Sequence, residues 1–329
     1  MRNSTAFLFA AAVYATVLAA NFGVAGAAMA QSSDWPTHIV KIVVPAPPGS
    51  VTDLLARVLG ERLPTVFNQP FITENRPGGA TNIGTDYVAK QRADGYTMLL
   101  TQNTIVTNPS FFKKLPFDPI ADFDPVTLIA TTPMVMAVNA NTPVKSIKEL
   151  IDFARTKEIA YGSAGVGSPH HLATVLFNAA TGLTMTHVAY KGSAPATLAL
   201  ITNEVTMSIT TISAVQPFMQ SGKVRVLGVS GEKRTSLMPD VPAIVEVVPG
   251  VVLEAWFAVF VPAGTPRAII SRLNTEINRI LQDPQIVKTR FTPNSVEPRG
   301  TTPERLKEIM QSELIKYQKL AKDANIIPE

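Results

Sequence analysis

The 329-residue chain contains no cysteine, which excludes disulfide bonds, thiolate metal sites, a cysteine nucleophile and a lipid anchor on cysteine. It has only four histidines, and the neighbours His170 and His171 point about 100° apart on a helix, so they do not share a metal easily. No acidic residue lies within the next turn after them. We therefore expect neither a metal nor a cofactor.

The chain also lacks a large net charge of either sign. The chain has 29 Lys and Arg residues against 25 Asp and Glu residues, a formal net charge of +4, and no basic run stands out. This balance argues against a nucleic-acid partner. With 46% hydrophobic and 16% charged residues, the composition is that of a globular protein, and the length suffices for two domains.

Long apolar runs are absent except at the N-terminus. Residues 1–30 carry a single charge, Arg2, and end in Ala28-Met29-Ala30, a small-x-small cleavage signal. We predict a signal peptide over 1–30 that is cleaved after Ala30. A retained membrane anchor is the alternative, because the run is long enough to span a bilayer. An exported chain without cysteine suits a bacterial periplasm, where free thiols would be oxidised.

The remaining chain alternates between strand-like and helix-like segments in two series. Because strands alternate with helices, we predict an α/β protein with mostly parallel sheets and right-handed crossovers. Four prolines within 108–125 predict an irregular connector there. The predicted strands are 39–45, 71–75, 96–101, 134–140, 159–163, 186–190, 205–210, 223–230 and 256–263; the predicted helices are 51–63, 84–93, 147–156, 170–181, 195–203, 266–282 and 303–323.

The stretch VVPAPPGSVTDLLARVLG (43–60) passes from a strand to a helix through a proline- and glycine-rich turn. The first N–H groups of a helix lack intrahelical partners and lie at the positive end of the helix dipole, so such a turn can hold an anion. However, Ser50 and Asp53 have the spacing of a capping box, in which the helix satisfies these groups itself. The two interpretations are compatible, and the stretch alone does not decide between them.

A second turn of this kind, YGSAGVGSPHHLA (161–173), has three glycines and two serines between a strand and a helix. Repeated glycine permits a compact nest of amides and hydroxyls. The glycine order is not that of a dinucleotide-binding fingerprint, and the Gly-Lys-Ser/Thr ending of a P-loop is missing. His171 is interpreted as a donor near this turn or as a packed ring.

Three weaker features remain. Lys191 follows the strand at 186–190 and could balance an anion, although a lysine there is more often solvated. The loop ENRPGGATNIG (74–84) rims a cleft or merely joins a strand to a helix. No G-x-S-x-G elbow and no recognisable base beside a serine are present, so nothing favours catalysis.

In chain order, these motifs resemble those of the Bug or TctC-like family, the periplasmic solute receptors of tripartite tricarboxylate transporters. The resemblance covers essentially the whole chain from Trp35 onward. Each motif alone is weak, whereas eight in order are highly specific. They are IVVPAPPGSVTDLLAR (42–57), ENRPGGATNIG (74–84), ADGYTMLL (93–100), NPSFFKKLPFDPIADFDPVTLI (108–129), YGSAGVGSPHHLA (161–173), HVAYKGSAPA (187–196), MPDVPAIVE (238–246) and VPAGTP (261–266).

The resemblance implies a two-lobed periplasmic-binding-protein fold of type II, the Venus flytrap, with a small organic acid held between the lobes. Lobe I would comprise 31–128 plus 229–329, and lobe II would comprise 129–228. Both turns and the end of the strand at 96–101 would contact the acid. The implied contacts are Ala46, Pro48, Gly49, Ser50, Thr52, Asp53, Thr101, Gln102, Asn103, Ser163, Ala164, Gly165, Gly167, Ser168 and His171.

The resemblance further implies that the chain is not an enzyme and that its partners are the membrane components of the transporter. We expect a monomer. A sensor subunit that presents its ligand to a membrane kinase, and an exported hydrolase on the same fold, are the alternatives. The sequence departs from the family where Ser50, Ala199 and Thr206 replace the usual glycine and two acidic residues, and the ligand's identity does not follow from the sequence.

Overall fold

The computed structural model describes residues 35–165, 168–190, 192–323 and 328. The predicted signal peptide with its cleavage site, Gly167 and Lys191 lie outside the described residues. In the described part, no helix combines the length and the apolar character that a bilayer crossing requires.

The N-terminal series of elements follows the predicted strand–helix order. β-branched runs become strands, and the amphipathic segment after Ser50 becomes a helix. The elements are β1 (Val40–Val44), α1 (Val51–Arg62), α2 (Pro64–Phe67), β2 (Phe71–Asn75), α3 (Asn82–Ala89), β3 (Thr97–Gln102), α4 (Thr104–Thr107) and β4 (Phe123–Thr132).

The middle series begins directly after β4. Ser146 caps its first helix by accepting the Glu149 N–H, as the capping-box spacing predicts. The elements are β5 (Met134–Asn139), α5 (Ile147–Thr156), β6 (Ala160–Ser163), α6 (Pro169–Thr181), β7 (Thr186–Ala189), α7 (Ser193–Ile201), β8 (Met207–Thr211), α8 (Ile212–Gln220) and β9 (Val224–Val229).

The C-terminal series returns to the first sheet. Its elements are α9 (Ile244–Val247), β10 (Ala255–Pro262), α10 (Arg267–Leu281), α11 (Pro284–Ile286), a π-helical turn (Val287–Phe291), β11 (Glu297–Pro298) and α12 (Pro303–Asp323).

Two sheets result, with strand orders β11-β4-β10-β3-β1-β2 and β7-β6-β8-β5-β9. The strand–helix–strand units pair in parallel, as predicted. The strands that pass between the sheets, β4 with β5 and β9 with β10, pair antiparallel with their neighbours. The sheets are therefore mixed rather than mostly parallel, because a strand arriving from the other sheet needs no crossover helix and is free to run in the opposite direction.

Two local predictions are wrong. The span 108–125 was expected to be irregular throughout, yet β4 begins at Phe123 and includes Pro125. Pro125 pairs with Phe260 beside a register shift, and a proline that lacks an N–H is tolerated at such a bulge. Helix α8 was not predicted, and it contains Pro217. This short helix was not predicted because a proline in a helix interior is normally read as a helix breaker.

Helix α12 belongs to two hydrophobic cores. Its N-terminal half buries Leu306 and Met310 in a cluster with residues of the first sheet. Its C-terminal half buries Tyr317 and Leu320 in a cluster formed mainly by the second sheet and its helices. The helix therefore packs against both layers of the protein at once.

The chain passes between the sheets beside Ser230, which is 1% exposed. Its Oγ donates to the Leu253 carbonyl at 2.6 Å and accepts the Met134 N–H at 3.2 Å. Its own backbone N–H donates to the Met134 carbonyl at 2.8 Å. One hydroxyl thus satisfies buried backbone groups of both crossing segments.

Replacing Ser230 with alanine should lower the free energy of unfolding by about 1–3 kcal/mol, because a buried N–H and a buried C=O lose their partner. Chemical denaturation measures this difference. Ser221→Ala is the control, since the Ser221 hydroxyl is exposed and donates to the nearby Phe218 carbonyl; it should change stability by less than about 0.5 kcal/mol. Equal effects of the two substitutions would contradict the assignment.

Candidate functional site

The first turn connects β1 to α1 and closes on itself. Ser50 is the N-cap of α1, and its Oγ accepts the Asp53 N–H at 3.2 Å. In return, the Asp53 carboxylate accepts the Gly49 N–H at 2.9 Å. The capping box expected from the Ser50–Asp53 spacing is present, with the acid reaching one residue before the cap.

Asp53 is 2% exposed, and its carboxylate accepts hydrogen bonds from two further groups. Arg57 Nε donates to Oδ2 at 2.9 Å, and Asn75 Nδ2 donates to Oδ1 at 3.0 Å. The same Asn75 amide also donates to the Ala46 carbonyl at 3.0 Å, which ties the start of the turn to β2. The carboxylate is therefore the centre of a network rather than a free ligand contact.

The protonation state of Asp53 follows from these contacts. Burial by itself favours the neutral acid, but the hydrogen bonds from Arg57, the Gly49 N–H and Asn75 outweigh that effect and hold the pKa of the carboxyl below its ordinary value. Asp53 is thus ionised at neutral pH, and its negative charge stands at the N-terminus of α1.

The network changes which backbone groups can bind an anion. The Gly49 N–H donates to Asp53 and the Ser50 N–H donates to the Pro47 carbonyl at 3.3 Å, so neither is available. The N–H groups of Val51 and Thr52 have no hydrogen-bond partner among the described residues. Gly49 has φ +83°, and a Cβ placed there would meet no atom within 4 Å, so its surroundings are open.

A cavity of about 400 Å³ borders this turn and is lined by Pro48, Gly49, Ser50 and, from the C-terminal part of the chain, Asn294. It has room for a small organic acid. Among the described residues, its lining comes from the first sheet's side alone. This cavity is therefore not by itself a site shared by the two turns.

The end of β3 lies beside the first turn. Strands β1 and β3 pair in parallel with Val43 opposite Leu99, and extending this register places Thr101 beside Pro45. The Thr101 hydroxyl is buried and has no partner among the described residues, and Gln102 is half-buried.

The Asn103 side chain, by contrast, is hydrogen-bonded to other parts of the protein. It is 2% exposed, and its amide donates to the Glu254 carbonyl at 3.3 Å and to the Tyr317 hydroxyl at 3.4 Å. In this structure the Asn103 side chain therefore joins β3 to the C-terminal helix. Its predicted contact with an acid would require those bonds to be exchanged.

The second turn connects β6 to α6, and Ser163 and Ser168 hold it at either end. The Gly165 N–H donates to Ser163 Oγ at 3.1 Å, while Ser168 Oγ donates to the Gly165 carbonyl at 2.7 Å. Ser168 is also the N-cap of α6, and its Oγ accepts the His171 N–H at 3.3 Å. Gly165 has φ +125°, a conformation that side chains rarely adopt.

Three rings stack behind this turn. His187 lies 4.1 Å from His171 and 4.9 Å from Tyr161 between ring centroids, with interplanar angles of 14° and 17°. Burial, together with the neighbouring His187, lowers the pKa of His171 to about 4. Burial also lowers the pKa of His187. Both imidazoles are neutral at pH 7, so neither contributes a positive charge to the turn.

His187 also contacts a hydroxyl, with Nε2 2.6 Å from Ser163 Oγ. A serine next to a histidine is the first requirement of a typical serine hydrolase. Here, however, Ser163 is 0% exposed and its hydroxyl contacts both the N–H and the carbonyl of Gly165. The pair supports the turn and does not present a nucleophile.

The structure thus gathers the predicted residues into two groups. Ala46, Gly49, Ser50 and Asp53 share one network, and Ser163, Gly165, Ser168 and His171 share the other. Pro48 lines the cavity, the Thr52 side chain is buried, and Ala164 lies within the second turn. Among the described residues, no group of three His, Asp or Glu side chains is arranged to hold a metal ion.

Sequence reasoning missed Asn75, Arg57 and His187. Strand pairing would have indicated two of them, since Asn75 is opposite Val44 at the end of β2 and His187 is opposite Tyr161 on β7. Residues opposite each other in a sheet share a face. Arg57 follows Asp53 by four residues, the ordinary spacing of an ion pair on a helix.

Known proteins share this architecture. A family model described as "Tripartite tricarboxylate transporter family receptor" matches residues 55–326. This chain belongs to that receptor family. Protein BugT of Bordetella pertussis is 34% identical over 299 residues, which cover 89% of this chain and 91% of BugT.

Two solved structures of related receptors contain acids. R. palustris Rpa4515 with adipate is 37% identical, with a TM-score of 0.73 over 90% of this chain and 100% of that one. MatC (Rpa3494) from Rhodopseudomonas palustris with bound malate is 28% identical, with a TM-score of 0.68 over 87% of this chain and 100% of that one. The receptor family and the two sheets confirm the two-lobed periplasmic-binding-protein fold predicted from the sequence.

Replacing Asp53 with asparagine should lower the free energy of unfolding at pH 7 by about 1.5–3 kcal/mol, the range for hydrogen bonds to a charged group. Since the folded pKa lies below the unfolded value of about 3.9, the ionised carboxylate stabilises the protein above that pH and the contribution is lost as pH falls below it. Denaturation at several pH values from 7 to 3 should show the difference between wild type and Asp53→Asn shrinking.

The control is Asp152→Asn. Asp152 forms an exposed pair with Arg155 at 3.7 Å, so the substitution should change stability by less than about 0.5 kcal/mol at every pH. A difference between wild type and Asp53→Asn that does not depend on pH would contradict the assigned network.

Proposed function

We propose that this chain is a periplasmic receptor that binds a small carboxylate between its two lobes and delivers it to the membrane components of a tripartite tricarboxylate transporter. The proposal rests on one observation above all: each sheet presents a strand-to-helix turn at the C-terminal ends of its parallel strands, built from glycine, serine and backbone amides. Related receptors of this fold hold adipate and malate.

The chemistry of the turns favours a carboxylate. The N–H groups of Val51 and Thr52 at the start of α1 lie at the positive end of the helix dipole. The Ser50 hydroxyl accepts the Asp53 N–H and keeps its proton for another acceptor. The acid is thus recognised by neutral donors, which accept acids of different lengths and shapes.

The lobes proposed from the sequence are 31–128 with 229–329, and 129–228. Each contributes one turn, so an acid with a carboxylate at either end joins them and favours closure. The contacts proposed in lobe I are the Ser50 hydroxyl and the N–H groups of Val51 and Thr52, with Thr101 and Gln102. Those proposed in lobe II are Ser163 to Ser168 with His171. The chain acts as a binding protein and catalyses no reaction.

Thermal unfolding of the mature protein with a panel of acids tests the proposal. Adipate, malate, citrate, glutamate and benzoate at millimolar concentration cover aliphatic, acidic amino and aromatic acids. An acid at a hundredfold excess over its dissociation constant should stabilise the fold by about 2.7 kcal/mol. If no member of the panel raises the melting temperature, the carboxylate assignment fails. Membrane pull-down with and without the active acid then tests delivery to the transporter.

Replacing Gly165 with valine should weaken binding of the active acid by about tenfold or more, about 1.4 kcal/mol. The side chain would force the turn away from φ +125°, a conformation that residues with a Cβ rarely adopt. Calorimetric titration measures the loss. Gly222→Val imposes similar strain at φ +69° with no atom within 4 Å, and this exposed control should bind normally. Equal affinities of the two variants would remove the second turn from the site.

A further inference from the structure

Two aromatic side chains on the strands beside the second turn have no role in the recognition described so far. His187 and Tyr161 lie on neighbouring parallel strands, directly opposite each other in the β6–β7 pairing. His187 is separated from Ser163 by 24 positions in the sequence. Its ring nevertheless reaches both ends of the turn, one end through a hydrogen bond and the other through ring stacking.

The contacts form a closed circuit. His187 Nε2 lies 2.6 Å from Ser163 Oγ, and Ser163 Oγ accepts the Gly165 N–H at 3.1 Å. The Gly165 carbonyl accepts from Ser168 Oγ at 2.7 Å, and Ser168 Oγ accepts the His171 N–H at 3.3 Å. The His171 ring then stacks on His187 at 4.1 Å, which completes the circuit.

The direction of the Ser163 hydrogen bond follows from the capacity of the Gly165 carbonyl. That oxygen already accepts from Ser168 Oγ at 2.7 Å and from the Ser168 N–H at 3.2 Å, which uses both of its lone pairs. It lies 3.1 Å from Ser163 Oγ, farther than the 2.6 Å to His187 Nε2. The Ser163 proton therefore goes to His187 Nε2, which accepts it in the neutral tautomer that carries its proton on Nδ1.

We propose that His187 is a positioning residue for acid binding: it fixes Ser163, and through Ser163 the amide of Gly165, in the conformation that the second turn offers to the acid. This inference rests on the proposed function for its ligand, but the contacts that carry it exist without one. The hydrogen bond to Ser163 carries the effect, and the ring stack supports it. His187 itself need not touch the acid.

Two substitutions separate the hydrogen bond from the stack. His187→Gln places an amide near the position of Nε2 and retains a group that can bond Ser163, while it removes the ring. His187→Phe retains an aromatic ring between Tyr161 and His171 and removes the hydrogen bond. Ser163→Ala removes the partner. His38 supplies the control, since it stacks on Tyr96 at 3.7 Å before β1 begins, at the opposite end of its strand from the first turn.

Calorimetric titration with adipate and with malate is the first measurement. His187→Phe and Ser163→Ala should each weaken binding by about tenfold, and the double variant should lose no more than either alone, because both act through one contact. His187→Gln should stay within about threefold of wild type, and His38→Phe within about twofold. If His187→Phe binds as wild type does, or His187→Gln is as weak as His187→Phe, the positioning role is wrong.

Hydrogen–deuterium exchange of the Gly165 amide in the acid-free protein is the second measurement. Exchange should accelerate by about tenfold or more in His187→Phe and Ser163→Ala, and stay near the wild-type rate in His187→Gln and His38→Phe. Unchanged exchange in His187→Phe overturns the inference. If neither adipate nor malate binds the wild type, these two acids are not its ligands, while the exchange rates alone still decide the role of His187.

Discussion

A backbone N–H or C=O group that is buried without a partner destabilises a fold, and this constraint shapes every segment that joins a strand to the site. At the first turn Asp53 bonds a backbone group, and at the second turn Ser163 and Ser168 do so. Ser230 does the same where the chain crosses between the sheets. Asp53, Ser163 and Ser230 are themselves buried, and Ser168 is half-buried. Local order in these loops therefore comes from hydrogen bonding more than from apolar packing.

The same constraint determines which backbone N–H groups of the two turns stay available to a ligand. Asp53 takes up the Gly49 amide, so the first turn offers the amides that follow Ser50 instead. An ionised Asp53 near that turn also repels an approaching carboxylate, and the short Arg57 contact offsets part of this repulsion. Because the histidines behind the second turn are neutral, the donors there are uncharged as well. The described donors at both turns are therefore neutral groups.

Local features of this fold could be predicted from the sequence. The strand–turn–helix order, the Ser50–Asp53 cap and the glycine-rich second turn depend on neighbouring residues, and the structure contains all three. What could not be predicted depends on pairing between distant segments. The antiparallel strands that cross between the sheets are one example, and the bulge that accommodates Pro125 is another. The burial of Asn103 against Tyr317 and the contact of His187 with Ser163 likewise require the tertiary fold.

Closure of a two-lobed receptor changes the angle between its sheets, and the bend must fall where few ladder hydrogen bonds resist it. Strand β4 is paired up to Thr132 and β5 is paired from Met134, which leaves Pro133 between them. On the return path, Ser230 follows β9, and its hydroxyl and backbone groups bond to Met134 and Leu253. Helix α12 cannot bend as sharply, yet it is packed into both cores. Any rotation about Pro133 and Ser230 has to be accommodated along α12, which the Asn103–Tyr317 hydrogen bond joins to the end of β3.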